Sequence, residues 1–134
     1  GMAIAQENSV AIPIIKEAQD LDINRMANIT QELQNRAITG KLLPQEQCRN
    51  TFTISVLGTV DVFTPIINPP AVAVLGVGRA YQKPIIYNNE ILPRLMTTLS
   101  LSLDHRVIDG GPASIFLRDL KRLLENPKPI FDPI

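Results

Sequence analysis

Apolar and polar positions divide the chain into short strands and two helices. Met2 to Gln6 and Val10 to Lys16 are β-type runs around the polar Glu7-Asn8-Ser9, which predicts a hairpin. Pro13 falls in the second run and predicts an edge position or a bulge there. Ile23, Met26, Thr30, Leu33 and Ala37 recur at helical spacing. They predict a helix over 22–39, with Asp22 as N-cap and Gly40 just past its end. Pro44 is suited to open a short helical turn through Cys48. Thr51 to Gly58 reads as a strand closed by glycine, and Ala71 to Ala80 as a buried apolar strand. Between them, Pro69-Pro70 supplies no backbone donors and must leave any central ladder. Asn88-Asn89 tolerates positive φ and predicts a second hairpin between Lys83–Tyr87 and Ile91–Pro93. Arg94 to Leu103 is expected to be one long strand. Pro112 then opens a helix with Ala113, Phe116, Leu117, Leu120 and Leu124 inward and Arg118, Lys121 and Arg122 toward solvent. The apolar, proline-bearing tail over 128–134 is expected to be extended.

Composition narrows the class. A chain of 134 residues, 45% of them hydrophobic, fits one domain with a real core. Thirteen basic and 13 acidic residues cancel, so charge does not direct it to nucleic acid or an anionic membrane surface. No apolar run is long enough to span a bilayer. The lone cysteine, Cys48, excludes an internal disulfide and fits a reducing compartment. The expected location is cytoplasmic, or the mitochondrial matrix in a eukaryote.

Candidate chemistry gathers after the alternating Leu99–Leu103 run. The turn Asp104-His105-Arg106-Val107-Ile108-Asp109-Gly110-Gly111 holds the only histidine, with a carboxylate on either side. Histidine titrates near neutrality and suits a general base. Asp109, four positions on, reads as an orienting carboxylate. Asp104 reads either as a second structural carboxylate or as a solvated one. One histidine and one cysteine are too few ligands for a metal site. A Cys48–His105 nucleophilic pair is possible on paper, although the two are far apart in sequence. Gly76-Val77-Gly78 lacks the third glycine and following helix of a dinucleotide fingerprint. Ser55, near the end of its strand, reads by itself as a hydroxyl bonded to local backbone.

These strings carry a resemblance. DHRVIDG over 104–110 resembles the DHRxxDG signature of the dihydrolipoyl acyltransferases of 2-oxo-acid dehydrogenase complexes, which is related to the HxxxDG pattern of chloramphenicol acetyltransferase. Val10 to Lys16 resembles that family's GLVVPVIKDA, Thr51 to Gly58 its TFTISNLG, and Phe63 to Pro70 its FTPIINPP. Val56 departs from the family's polar residue after the serine, and the loop Thr59–Val62 is shorter than its glycine-containing counterpart.

The resemblance implies an α/β (α+β) fold of the chloramphenicol acetyltransferase type, a mixed sheet with helices packed on one face. Residues 1–134 would be the C-terminal portion of a single catalytic domain. The implied reaction moves an acyl group, acetyl first among the candidates, between dihydrolipoamide and coenzyme A. His105 would be the base, Ser55 the oxyanion donor, and Asp109 the partner in an ion pair shaping the loop. Coenzyme A is then a substrate, the lipoyl group rides on a domain absent from this chain, and no metal takes part. The implied assembly is a homotrimer with the active site between subunits, built into a larger core with the apolar tail as a further contact. A tail folded back on its own subunit is the alternative. The dehydrogenase and lipoamide dehydrogenase components would be partners. Two other functions stay open: a non-catalytic assembly module, and a stand-alone acetyltransferase of the chloramphenicol type.

Overall fold

The computed structural model describes residues 1–47 and 50–131. Its strands are β1 (Met2–Ala5), β2 (Val10–Ala11), β3 (Thr53–Val56), β4 (Ala73–Val77), β5 (Tyr81–Tyr87), β6 (Glu90–Met96) and β7 (Leu99–Leu103). Its helices are α1 (Ile23–Ile38), α2 (Gly110–Glu125) and the single turn α3 (Lys128–Phe131). Five strands form one mixed sheet in the order β2-β1-β3-β4-β7, and β5 and β6 form a separate ribbon. β1, β3 and β4 run parallel, while β2 and β7 close the edges antiparallel.

α1 has both of its expected ends. The Asp22 carboxylate accepts the Arg25 N–H at 2.9 Å. At the other end Gly40 takes φ 68°, Lys41 N–H donates to Arg36 O at 2.8 Å and Gly40 N–H to Ala37 O at 3.2 Å. Leu33 and Ala37 are buried as its stripe predicts, and the helix packs against β1. Ile23, placed in that stripe, is exposed. The turn at Pro44–Glu46 forms as expected, but Cys48 lies outside the described residues.

Register assigns the faces of the sheet. Ile54, Leu75 and Leu101 share one face, and a cavity between that face and α2 is lined by Phe52, Ala73, Leu101, Ala113 and Phe116. The Phe52 and Phe116 rings meet edge to face at 5.8 Å. The other face carries Thr53, Ser55, Val74, Gly76, Ser100 and Ser102. There a Cβ on Gly76 would lie 2.5 Å from Ser100 Oγ and 3.2 Å from both the Phe63 ring and Pro65. Only glycine lets the Phe63–Pro65 segment cross the sheet so closely.

Three expectations change. The strand expected over Arg94–Leu103 is broken at Thr97-Thr98, and its halves join different sheets. At the break Gly78 N–H donates to Thr98 O at 3.0 Å, one rung beyond the Val77–Leu99 pair, and the Gly78 carbonyl accepts Thr97 Oγ1 at 2.8 Å. The tail is helical over Lys128–Phe131 rather than extended, with Ile130 N–H donating to Pro127 O at 2.9 Å. Pro129 is no obstacle, because a first-turn residue has no helical acceptor to lose. Asp132, Pro133 and Ile134 lie outside the described residues. The third change is in α2, where Ala113 is buried but Phe116 and Leu124 are exposed.

Candidate active site

β7 delivers the turn. Asp104 N–H donates to Val72 O at 2.9 Å, so the ladder runs one residue past the strand before the chain turns. His105 then stands on an exposed turn and reaches solvent with 76% of its side chain. Asp109 is the N-cap residue of α2, yet its carboxylate does not cap the helix. It lies instead 3.6 Å from His105 Nδ1. That is too long for a hydrogen bond and short enough for an ion pair with a protonated imidazole. The structure therefore brings His105 and Asp109 together.

It does not bring Ser55 to them. Ser55 pairs with Gly76 of β4, which pairs in turn with Ser100 of β7. β7 runs three more residues past Ser100, about 10 Å, before it reaches the turn that holds His105. Ser55 and His105 thus lie toward opposite ends of the sheet. No described residue hydrogen-bonds the Ser55 hydroxyl, which leaves it free to donate and removes the local-backbone role.

The short loop after Ser55 is tied down by distant residues. Leu57 N–H donates to Val77 O at 3.0 Å and Arg79 N–H to Val60 O at 2.8 Å. The Arg79 guanidinium pairs with Asp61 and stacks 4.8 Å over the Tyr81 ring. Ser100 Oγ donates to Phe63 O at 2.6 Å and fixes the start of the crossing segment.

For Asp104, read from the sequence as a second structural carboxylate or a solvated one, the structure shows a local partner. Its carboxylate accepts hydrogen bonds from the backbone and guanidinium of Arg106, which hold its pKa down to about 2. The visible signal is Arg106 two residues on, at the reach of an Asx turn. A cavity of about 480 Å³ lies between β6, β7 and α2, lined by Leu95, Met96, Leu99, Leu117 and Leu124, away from His105. Among the described residues, no three His, Cys, Asp or Glu side chains are grouped to hold a metal ion. No helix of the described residues is long and apolar enough to cross a membrane.

Residues 1–131 match the family of 2-oxoacid dehydrogenases acyltransferase (catalytic domain). The chain is 40% identical over 129 residues to the dihydrolipoyllysine-residue acetyltransferase component of the acetoin cleaving system of Bacillus subtilis, covering 95% of this chain and 32% of that protein. It is 41% identical over 133 residues to the corresponding pyruvate dehydrogenase complex component of Mycoplasma capricolum, covering 98% and 30%. A solved structure of Azotobacter vinelandii dihydrolipoamide acetyltransferase superposes with a TM-score of 0.89 at 36% identity, over 98% of this chain and 55% of that one. That structure was determined to probe a serine, a histidine and an asparagine in the catalytic mechanism, the last two standing four positions apart. The chain spans about a third of the length of the curated relatives and about half of the solved chain. By sequence and by fold, it belongs to the family of 2-oxoacid dehydrogenase acyltransferase catalytic domains.

Proposed function

We propose that the protein moves an acyl group, acetyl by preference, between dihydrolipoamide and coenzyme A at a site shared by two copies of the chain. His105 Nε2 takes the proton of the attacking thiol. The thiolate adds to the thioester carbonyl, and the Ser55 hydroxyl donates to the oxyanion of the tetrahedral intermediate. Collapse breaks the bond to the second sulfur, and the imidazolium returns its proton to that leaving thiolate. No acyl-enzyme forms, because the nucleophile belongs to the second substrate. Asp109 faces Nδ1 and favours the ring orientation that leaves Nε2 outward; its four-residue spacing from the base equals that of the histidine and asparagine in the Azotobacter enzyme.

One observation carries the shared site: base and hydroxyl lie at opposite ends of one sheet, the base on an exposed turn and the hydroxyl half-buried. The surface supports it. The chain exposes 10053 Å², whereas a compact monomer of 14.8 kDa exposes roughly 7,000 Å². The excess includes Val56 beside Ser55 and Val107 beside His105. The solved relatives include the cubic core of a pyruvate dehydrogenase multienzyme complex, which supports a trimer built into a larger shell. Dehydrogenase components would then be partners, and the lipoyl group would arrive on another domain.

The test mixes full-length chains carrying His105→Ala with chains carrying Ser55→Ala. Each variant alone is expected to be nearly inactive. Co-refolded oligomers should regain a measurable fraction of thiol release, because some interfaces pair an intact base with an intact hydroxyl. Mixed oligomers that form and stay inactive would refute the shared site.

A further inference from the structure

The turn has a fastener. We propose that Asp104 is a positioning residue for acyl transfer, its carboxylate clipping the turn so that His105 is held in one place. The inference rests on the reading of His105 as the base.

Consider what holds the imidazole. Its side chain is exposed, and among the described residues its one ion-pair partner is Asp109 at 3.6 Å, itself exposed. Side-chain packing therefore does little to fix it, and its place depends on the backbone of the turn. Asp104 grips that backbone on both sides of His105. Before it, the Asp104 N–H is tied to Val72 O of the sheet at 2.9 Å. After it, Asp104 Oδ1 accepts the Arg106 N–H at 3.0 Å. The Asp104 carbonyl accepts the N–H groups of Val107 at 2.9 Å and Ile108 at 3.0 Å. His105 lies inside all three contacts that Asp104 makes to Arg106, Val107 and Ile108.

Arg106 completes the clip. Its Nε donates to Oδ1 at 2.9 Å and its Nη2 to Oδ2 at 2.6 Å, a two-pronged, charge-assisted geometry. The Arg106 side chain is 88% exposed, so packing does not account for its pose, while that of Asp104 is largely covered at 21%. On the far side of the turn Ile108 is tied back by its N–H bond to Asp104 O, and its side chain lines the cavity beside Phe52, Ala73, Leu101 and Phe116. A turn fixed at the sheet, at Arg106 and at Ile108 leaves His105 little backbone freedom. Misplacing a reacting group by about 1 Å can cost about 10²-fold in rate.

The full-length protein decides this with two readouts. Asp104→Ala should lower kcat about 10²-fold and leave KM for coenzyme A within about twofold, since no substrate contact is removed. Asp104→Asn keeps an oxygen for the Arg106 N–H and should recover much of that loss. Arg106→Ala removes only the fork and should cost about fivefold, the rate equivalent of an exposed ion pair. In parallel, ¹H–¹⁵N spectra of the His105 ring should change from one signal set in the wild type to broadened or multiple sets in Asp104→Ala. A wild-type kcat with an unchanged His105 signal in Asp104→Ala would overturn the clip. Should that variant not fold, a wild-type kcat with an unchanged His105 signal in Arg106→Ala, for which the clip requires the fivefold loss, would overturn it. A wild type that transfers no acyl group defeats the acyl-transfer reading instead, and the ring spectra still decide the clip.

Discussion

The two ends of the sheet are built on different principles. At the His105 end, Asp104, Arg106, Val107 and Ile108 bond to one another within four residues of sequence, with one tie to Val72. At the Ser55 end the contacts are long-range: Arg79 to Val60 and Asp61, Gly78 to Thr98, and Ser100 to Phe63. A base must be held in one orientation, and a short self-bonded turn does this without a partner. An oxyanion donor is a point on a wall, and a wall needs segments brought from far apart. The His105 end is thus a nearly self-sufficient device, and the Ser55 end depends on the whole fold.

The sharpest way to probe this contrast is to delete each functional group. His105→Ala in the full-length protein should lower kcat by about 10³-fold, with substrate affinity little changed, since a positioned base contributes 10²–10⁴. Ser55→Ala removes one oxyanion donor and should cost about 10²–10³ in kcat. Steady-state kinetics with acyl-dihydrolipoamide and coenzyme A measure both. Turnover within tenfold of wild type in His105→Ala would remove it as the base.

The same contrast explains what could be read from the chain alone. Asp22 and Gly40 bracket α1, and Asn88-Asn89, at φ 51° and 63°, turns β5 into β6, because caps and tight turns are decided by residues within a few positions. The DHRVIDG turn is equally local, so the approach of the Asp109 carboxylate to the His105 ring was legible. The break at Thr97-Thr98 was not. Nothing in Met96-Thr97-Thr98-Leu99 interrupts a strand; the break follows from pairing, since β6 pairs with β5 in the ribbon and β7 with β4 in the main sheet. The freedom of the Ser55 hydroxyl was hidden for the same reason, since it depends on which strands lie beside β3. The exposed Phe116 and Leu124 stripe of α2 shows the remaining limit: helical periodicity says which face is apolar, not how much of it this chain covers.

Glycines offer a stability test of the two ends. A Cβ on Gly78 would lie 2.0 Å from the Asp61 carbonyl oxygen and 3.1 Å from that of Val60, both backbone atoms of the tied loop. Gly78→Ala should destabilise the protein by about 1–3 kcal/mol, as overpacking typically does. Gly110, in the first turn of α2, meets nothing within 4 Å, and Gly110→Ala should be neutral or stabilising by up to about 1 kcal/mol. Denaturant unfolding compares them. Equal losses would mean that the Ser55 end is no more dependent on close long-range packing than the other.

The smallest effect expected is the titration of Asp104. In the folded chain its hydrogen bonds to Arg106 hold it down to about 2, below the ordinary carboxylate value near 3.8. A depressed carboxylate adds stability that is fully present above its unfolded pKa and is lost as pH falls through the folded one. The Asp104–Arg106 contact should therefore be constant at neutral pH and fade only between about pH 4 and pH 2. Carbon-detected titration of the Asp104 carboxyl should give a midpoint near 2, and Arg106→Ala should return it toward 3.8, because the guanidinium and its amide are the main causes of the shift. The Arg106 N–H remains in that variant, so part of the depression should survive. A wild-type midpoint near 3.8 would mean that the fork does not persist in solution. The turn at the His105 end would then rest on its backbone hydrogen bonds and Ile108 alone, and the contrast in self-sufficiency between the two ends would narrow.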